Sequence, residues 1–402
     1  MTSNSKNFCV LPWVSIETSP IGTLRPCCLA EDELVHDQTL DKFKINIDSI
    51  ETARNSSQMK TLRQQFIDGE RPDTCKKCWA VEDSGGTSKR EHTLDRLKHM
   101  GIKDQEWTTD ARPLMFIDFK LGNICNLKCR ICGSWSSSTY AIEEIQQLPT
   151  SIRKKSFPYK MIDEGRWPRQ SVDFWKEMGE NASNIRYLEF TGGEPFMIRE
   201  HFDFLETLIE KGVAKDIEVH YNTNGTNFPD AKHIWKHFKL VEIAFSIDDV
   251  GPRFEYQRKN AKWDEVNVNM AKFKELKQEL GNIVLQVCST VNVFNVMYLE
   301  GLSEWIDQQE FDFVYWNMLH EVWYHSIARL PEQAKTQAIE KLTHAEVSEF
   351  HKEQFKNIIM FMEQGQSSDG QELVKTTQKT DRIRGELLSE HHPELAEAIG
   401  YE

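Results

Sequence analysis

Leu121-Gly122-Asn123-Ile124-Cys125-Asn126-Leu127-Lys128-Cys129-Arg130-Ile131-Cys132-Gly133 decides how this chain is read. The stretch follows an apolar run, Leu114 to Phe119, that reads as a strand. It precedes Ser136 to Gln147, which has helical spacing. The loop therefore lies at the C-terminal end of a strand, where α/β folds place their ligands. Three thiolates within eight residues can reach three corners of a cubane iron–sulfur cluster. No fourth cysteine lies nearby, so one iron would stay open to a substrate or cofactor. Zinc would ordinarily take a fourth protein ligand and two-residue spacing in pairs.

Outward from this loop, strands and helices alternate. Further strands are expected at Arg186 to Thr191, Asp216 to Asn222, Val241 to Ile247, Ile283 to Val293 and Phe311 to Met318. Helices are expected at Arg199 to Lys211, Pro229 to Phe238, Trp263 to Leu280 and Val296 to Gln309. Strand–helix alternation implies parallel strands joined by right-handed crossovers. Six such units predict an α/β fold, either an open sheet or a partial (β/α)6 TIM-like barrel. Residues 149–184 form an insertion long enough to suggest a functional or partner-facing role. On the N-terminal side, Val10 to Glu17 and Thr23 to Cys27 read as two strands around a Pro20/Gly22 turn. Helical spacing follows over Ser49 to Ile67. After Pro331 two or three helices are expected, one with Ile358, Ile359, Phe361 and Met362 on a buried face, separated by a Gly365–Gly370 loop. Three regions result: an N-terminal module at 1–105, the alternating region at 106–330 and a helical cap at 331–402.

Other strand ends carry chemistry-bearing residues. Thr191-Gly192-Gly193-Glu194-Pro195 offers two glycines for close backbone approach and a carboxylate that can pair with an ammonium. Asn222-Thr223-Asn224-Gly225 ends the next strand. Ser246-Ile247-Asp248-Asp249 ends the one after, and Arg258 follows, a natural fork for a carboxylate. The cysteine loop, with these features in this order, resembles the signature of the radical S-adenosylmethionine (SAM) superfamily. The resemblance implies a 4Fe–4S cluster on Cys125, Cys129 and Cys132. Its open iron would chelate SAM, and one electron would cleave SAM to a 5′-deoxyadenosyl radical that abstracts a substrate hydrogen. It also implies that Gly192, Gly193, Glu194 and Pro195 serve SAM's amino group, and that Ser246 and Arg258 serve its ribose and carboxylate. Ile131 stands where the family more often has an aromatic residue against adenine. Asn292 is a weaker candidate for the adenine, as are Val291, Trp316 and Asn317. An external one-electron donor such as flavodoxin or ferredoxin is implied as partner.

Six further cysteines complete a total of nine. In a reducing compartment, close cysteines read as metal ligands before disulfides. A hairpin would bring Cys9 near Cys27, and Cys75-Lys76-Lys77-Cys78 would complete four ligands, a set that suits zinc or a 4Fe–4S cluster equally. Cys9, Gly22 and Cys27 have the spacing of the auxiliary-cluster region of SPASM and Twitch proteins, although here that region precedes the alternating one. This resemblance implies a second, auxiliary 4Fe–4S cluster on Cys9, Cys27, Cys75 and Cys78, in a Twitch-like hairpin and helix module. Cys28, adjacent on a strand, would face the other way and reads as a spare ligand. Cys288, in an apolar run, reads as a buried structural thiol.

The chain has 402 residues and a net charge of −14, and its mean hydropathy is −0.57. The acidic balance argues against a polynucleotide partner, and no apolar run approaches a membrane span. Without a secretory leader in residues 1–7, a cytoplasmic location is expected. Trp135, Trp316 and Trp323 could line a cavity, but core packing is the commoner role. Asp118, Glu189, His220, Tyr221, Tyr315, His320 and Glu321 lie near strand ends and are candidate proton donors or acceptors. The His391-His392 pair belongs to an acidic, solvated cap. The reading that results is a radical SAM enzyme acting on a peptide or protein, of the ribosomal-peptide maturase kind. A small-molecule dehydrogenase or a C–C bond-forming enzyme is the next alternative. A non-catalytic iron–sulfur or zinc sensor is the remotest, since it leaves the glycine-rich turn and the Ser246/Arg258 pair without a purpose.

Overall fold

The computed structural model describes residues 6–83, 86–100, 106–320 and 322–401; Glu321, a candidate above, lies outside them. The described strands are β1 (Ser15–Thr18), β2 (Leu24–Arg25), β3 (Phe116–Lys120), β4 (Lys128–Cys129) and β5 (Tyr187–Thr191). They continue with β6 (Glu218–Thr223), β7 (Leu240–Ser246), β8 (Arg258–Lys259), β9 (Ile283–Val291) and β10 (Phe313–Met318). By its contacts the chain divides into two compact units. The first comprises Met1–Cys125, Ser134–Tyr221 and Asp230–Val241; the second comprises Asn126–Gly133, Asn222–Pro229 and Glu242–Glu402.

In the first unit the strand order is β2-β1-β3-β5-β6. The N-terminal hairpin does not stand apart from the alternating region: β1 runs parallel to β3, with Ser15 opposite Phe116 and Thr18 opposite Phe119. β3 is parallel to β5 and β5 to β6. Successive side chains alternate between faces, and these strands alternate sharply. Ile16, Ile117, Phe119, Leu188, Phe190, Val219 and Tyr221 form the apolar face, all at most 1% exposed. Phe119 stacks on Phe190 and meets Phe174, Trp175 and Phe204. Phe174 and Trp175 lie on the helix Val172–Glu180 and Phe204 on Arg199–Glu210, so one job of the 149–184 insertion is to cover this face. The opposite face carries Glu17, Asp118, Glu189 and His220, aligned in one transverse row.

In the second unit β9 lies between β7 and β10, and β9 and β10 are parallel over six residue pairs. A separate antiparallel ribbon joins β4 to β8. The fold class is α/β with mostly parallel strands, as expected, and the C-terminal region is helical.

The details differ in instructive ways. Val10 to Glu17 does not begin as a strand: Leu11–Val14 forms one buried helical turn, with Pro12 in its first positions, where the missing N–H costs nothing. The helix expected over Pro229 to Phe238 shortens to Lys232–Trp235. The C-terminal region has five helices rather than two or three, from Glu332–His344 to Pro393–Ala398. His392, expected on a solvated cap, is fully buried against Tyr256 and Phe294, since aromatic packing there outweighs the polarity of the sequence around it.

Candidate functional site

The first unit contributes the approach to Cys125. Gly122 sits at φ +73°, and a Cβ there would lie 2.0 Å from the Gly165 carbonyl oxygen. Only glycine makes this exit from β3. The Asn123 amide donates to the Ser134 and Met161 carbonyls at 3.0 and 2.9 Å. Thr139 Oγ1 donates to the Cys125 carbonyl at 2.5 Å, and the Cys125 N–H reaches Ser138 Oγ at 3.3 Å. The glycine-rich turn after β5 lies directly along this segment. Gly193 N–H donates to the Gly122 carbonyl at 3.1 Å and Glu194 N–H to the Ile124 carbonyl at 2.8 Å. A Cβ on Gly193 would stand 2.2 Å from the Ile124 oxygen. The glycines thus serve backbone-to-backbone packing beside Cys125. Glu194 is buried, and its carboxylate accepts from the Phe196 N–H; Pro195 opens a short 3-10 turn.

The second unit contributes Cys129 and Cys132. Cys129, in β4, is paired with Arg258, in β8. The Arg258 guanidinium lies 3.9 Å from Cys129 Sγ and 2.7 Å from the Asp248 carboxylate. Burial pushes the Cys129 thiol up, and Arg258 works against that. Burial also opposes the Arg258 charge, but Asp248, then Cys129, hold the guanidinium above its ordinary value. Asn126 anchors the loop: it accepts from Asn224 at 3.0 Å and donates to Thr226 Oγ1 at 2.9 Å, so the expected Asn222–Gly225 turn holds the loop in place. Ile131 is half-buried. Ser246 ends β7, as expected. The Asn292 side chain bonds the Thr290 carbonyl at 2.8 Å and the Phe294 N–H at 2.9 Å, closing the turn after β9.

Sequence reasoning missed Arg130. Its guanidinium stacks 3.5 Å from the Tyr256 ring. It donates to the Tyr256 carbonyl at 3.0 Å, to Glu386 at 2.7 Å and to Asp381. Asp381 lies on the helix Gln371–Arg384, about 250 residues away, and no local pattern links the two. The one available signal was an arginine between two closely spaced cysteines.

Cys9, Cys27, Cys75 and Cys78 line one cavity of the first unit, with Phe66, Lys89 and Arg90, around about 320 Å3 of atom-free space partly open to solvent. Burial pushes all four thiols up, Cys27 to about 11, and for Cys9 and Cys75 the neighbouring thiols add to it. None of the nine cysteines forms a disulfide. Four soft donors converging on one cavity, with two cations beside it, fit a thiolate-bound group. Among the described residues, no set of three or more His, Cys, Asp or Glu forms a ready-made site for a metal ion. Cys28 does not line this cavity; the charges that act on it are Lys89, Asp118 and Glu189. Cys288 is half-buried rather than buried. Trp316 packs in the core against His351 and Phe355, whereas Trp135 and Trp323 are exposed.

Residues 119–292 match the family model described as the Radical SAM superfamily. Among solved structures, the chain is similar to native anSMEcpe with bound AdoMet. Identity is 15%, 56% of this chain and 58% of that one are covered, and the TM-score is 0.35. For native anSMEcpe with bound AdoMet and Cp18Cys peptide the identity is 16%, the coverage 62% of each chain and the TM-score 0.38. For SuiB of Streptococcus suis bound to precursor peptide SuiA the identity is 12%, the coverage 86% and 72%, and the TM-score 0.35. The chain spans 58% and 62% of the length of these anSMEcpe chains. No curated protein matches it. No helix among the described residues is long and apolar enough to cross a membrane.

Proposed function

We propose that this protein cleaves SAM reductively to modify a C–H position of a peptide or protein, and that it carries an auxiliary 4Fe–4S cluster besides the SAM-binding one. The supporting observation is the arginine-braced loop: Cys129 lies against Arg258, itself held by buried Asp248, in a stretch that matches the superfamily. Cys125, Cys129 and Cys132 would hold the SAM-binding cluster, and Cys9, Cys27, Cys75 and Cys78 the auxiliary one. When bound, the clusters supply electrons and SAM supplies the radical that takes the substrate hydrogen.

The chain's own residues do the rest. Gly192 and Gly193 leave backbone room beside Cys125, and Glu194 offers a carboxylate to an ammonium. Arg258, whose guanidinium lies against Cys129, would offer its charge to the carboxylate of SAM. Arg130 fixes the loop between the second and third cysteines. The convergence of four thiols in one cavity supports the auxiliary cluster. The likeness of the N-terminal cysteine spacing to Twitch and SPASM modules supports a peptide substrate. The bounds 1–105, 106–330 and 331–402 remain part of this proposal.

The test is anaerobic reconstitution with iron and sulfide, followed by assay for 5′-deoxyadenosine. About eight irons per chain and SAM cleavage that is lost in Cys125→Ala are expected. Cleavage that persists in Cys125→Ala overturns the radical assignment; zinc in the N-terminal set overturns the auxiliary cluster. Incubation with peptides encoded beside the gene, read by mass spectrometry in deuterated solvent, tests the substrate class. Modification of a small molecule alone would overturn it.

A further inference from the structure

The polar face of the first unit's strands holds a transverse row: Arg25 opposite Glu17, Glu17 opposite Asp118, Asp118 opposite Glu189 and Glu189 opposite His220. One step along, Glu218 is opposite Tyr187. Three of these four carboxylates have a cation of their own. Lys120 meets Glu17 at 2.8 Å, Lys89 meets Glu189 at 2.6 Å, and Glu218 is held by Arg96 at 2.6 Å and Lys239 at 2.8 Å. Asp118, in the middle, has no direct ion pair among the described residues, and only the more distant positive charges of Lys89 and Lys120 act on it. It is 7% exposed, and its Oδ1 is buried without a hydrogen-bond partner.

A buried carboxylate without a cation is costly, and such groups concentrate at functional sites. The face also leads to chemistry. β3 ends two residues beyond Asp118 and runs into the loop of Cys125, and β5 ends two residues beyond Glu189 at the glycine-rich turn. Asp118 therefore lies about 6.6 Å below those strand ends, within reach of a long side chain presented there.

We propose that Asp118 is a substrate-binding residue that takes a cationic side chain, a lysyl ammonium or an arginyl guanidinium, with Glu17 and Glu189 flanking it. This deepens, and rests on, the reading of the substrate as a peptide. The row sets the specificity: the ligand's cation completes the pairing that each neighbouring carboxylate already has. Cys28, Lys89 and Lys120 are the other titratable groups that act on the site.

The test uses the reconstituted holoenzyme with SAM and three probes: Nα-acetyl-lysine methylamide, Nα-acetyl-arginine methylamide and the neutral isostere Nα-acetyl-norleucine methylamide. Calorimetric titration at pH 8 should give binding of a cationic probe at least tenfold tighter than of norleucine. Asp118→Asn should abolish that preference, and Asp118→Ala should do the same. Equal binding of norleucine, no binding of either cationic probe, or an undiminished preference in Asp118→Asn overturns the proposal. Wild-type 5′-deoxyadenosine formation is measured separately. Its absence counts against the radical reading, whereas its presence without cation preference counts against the Asp118 site alone.

Discussion

Arg258 stands between a buried carboxylate and a cysteine thiol, and its worth depends on both. Replacing it by Met leaves Asp248, 1% exposed, without its cation. Breaking one side of such a pair costs about 3–5 kcal/mol, so thermal melting should show a marked loss of stability. Removing both charges in Arg258→Met/Asp248→Asn should cost less than the two single changes together; simple additivity would show that the pair is not coupled. Asp118 makes a pH prediction. Burial first, then Glu189, pushes its carboxyl up, so the folded state holds a proton that the unfolded chain has already released. The associated stability is complete below the ordinary carboxylate value of about 3.9 and is lost as pH rises through the higher folded value. Asp118→Asn mimics the protonated form. Its melting temperature relative to wild type should therefore be higher at pH 8 than at pH 5, and a pH-independent difference would refute this.

Among the elements, the helix Gln371–Arg384 acts at the greatest distance in sequence. Through Asp381 it grips Arg130, and Tyr256 stacks on the same guanidinium. Asp381→Asn and Arg130→Lys should loosen the loop between Cys129 and Cys132. Reconstituted protein should lose iron from the SAM-binding cluster and show an altered electron paramagnetic resonance signal with SAM. Leu373→Ala, a buried change on the same helix, controls for stability: it should lower melting without altering the signal. The glycine-rich turn behaves alike, for Gly193→Ala would drive a methyl into the Ile124 carbonyl and displace the approach to Cys125. Legibility divides at this scale. The helix Trp263–Leu280 was read to the residue because its period is strong and Gly281 stops it in the left-handed conformation. The expected bounds of β3, β5, β6, β7, β9 and β10 lie within two residues of the observed ones at either end. The ribbon of β4 and β8 was invisible: two residues on each side carry no period, and only their pairing defines them. Asp248 and Arg130 were equally hidden as a brace and a clamp, because their partners come from distant parts of the chain.

For the whole molecule, the two cysteine sets predict independent iron sites. Cys27→Ser or Cys75→Ser should leave about four irons, as should Cys129→Ala, and the combination almost none. Iron loss from both sites in a single Cys27→Ser variant would argue against two separate clusters. The α/β class could be read from the alternation of strands and helices, and the two cysteine groups stand out in the sequence by their spacing. The polar row through Asp118 could not, because it exists only in the register of strands that lie up to two hundred residues apart. That register has a cost in time. β1 pairs with β3, which is made about a hundred residues later, so at roughly 5–20 residues per second the ribosome needs about 5–20 s to supply the partner. Until then β1 leaves the tunnel with its hydrogen-bonding edge open, a template for another nascent chain. Slow synthesis at low temperature lengthens that interval, and a chaperone that shields the emerging N-terminal hundred residues should raise the soluble yield more than one that acts after release.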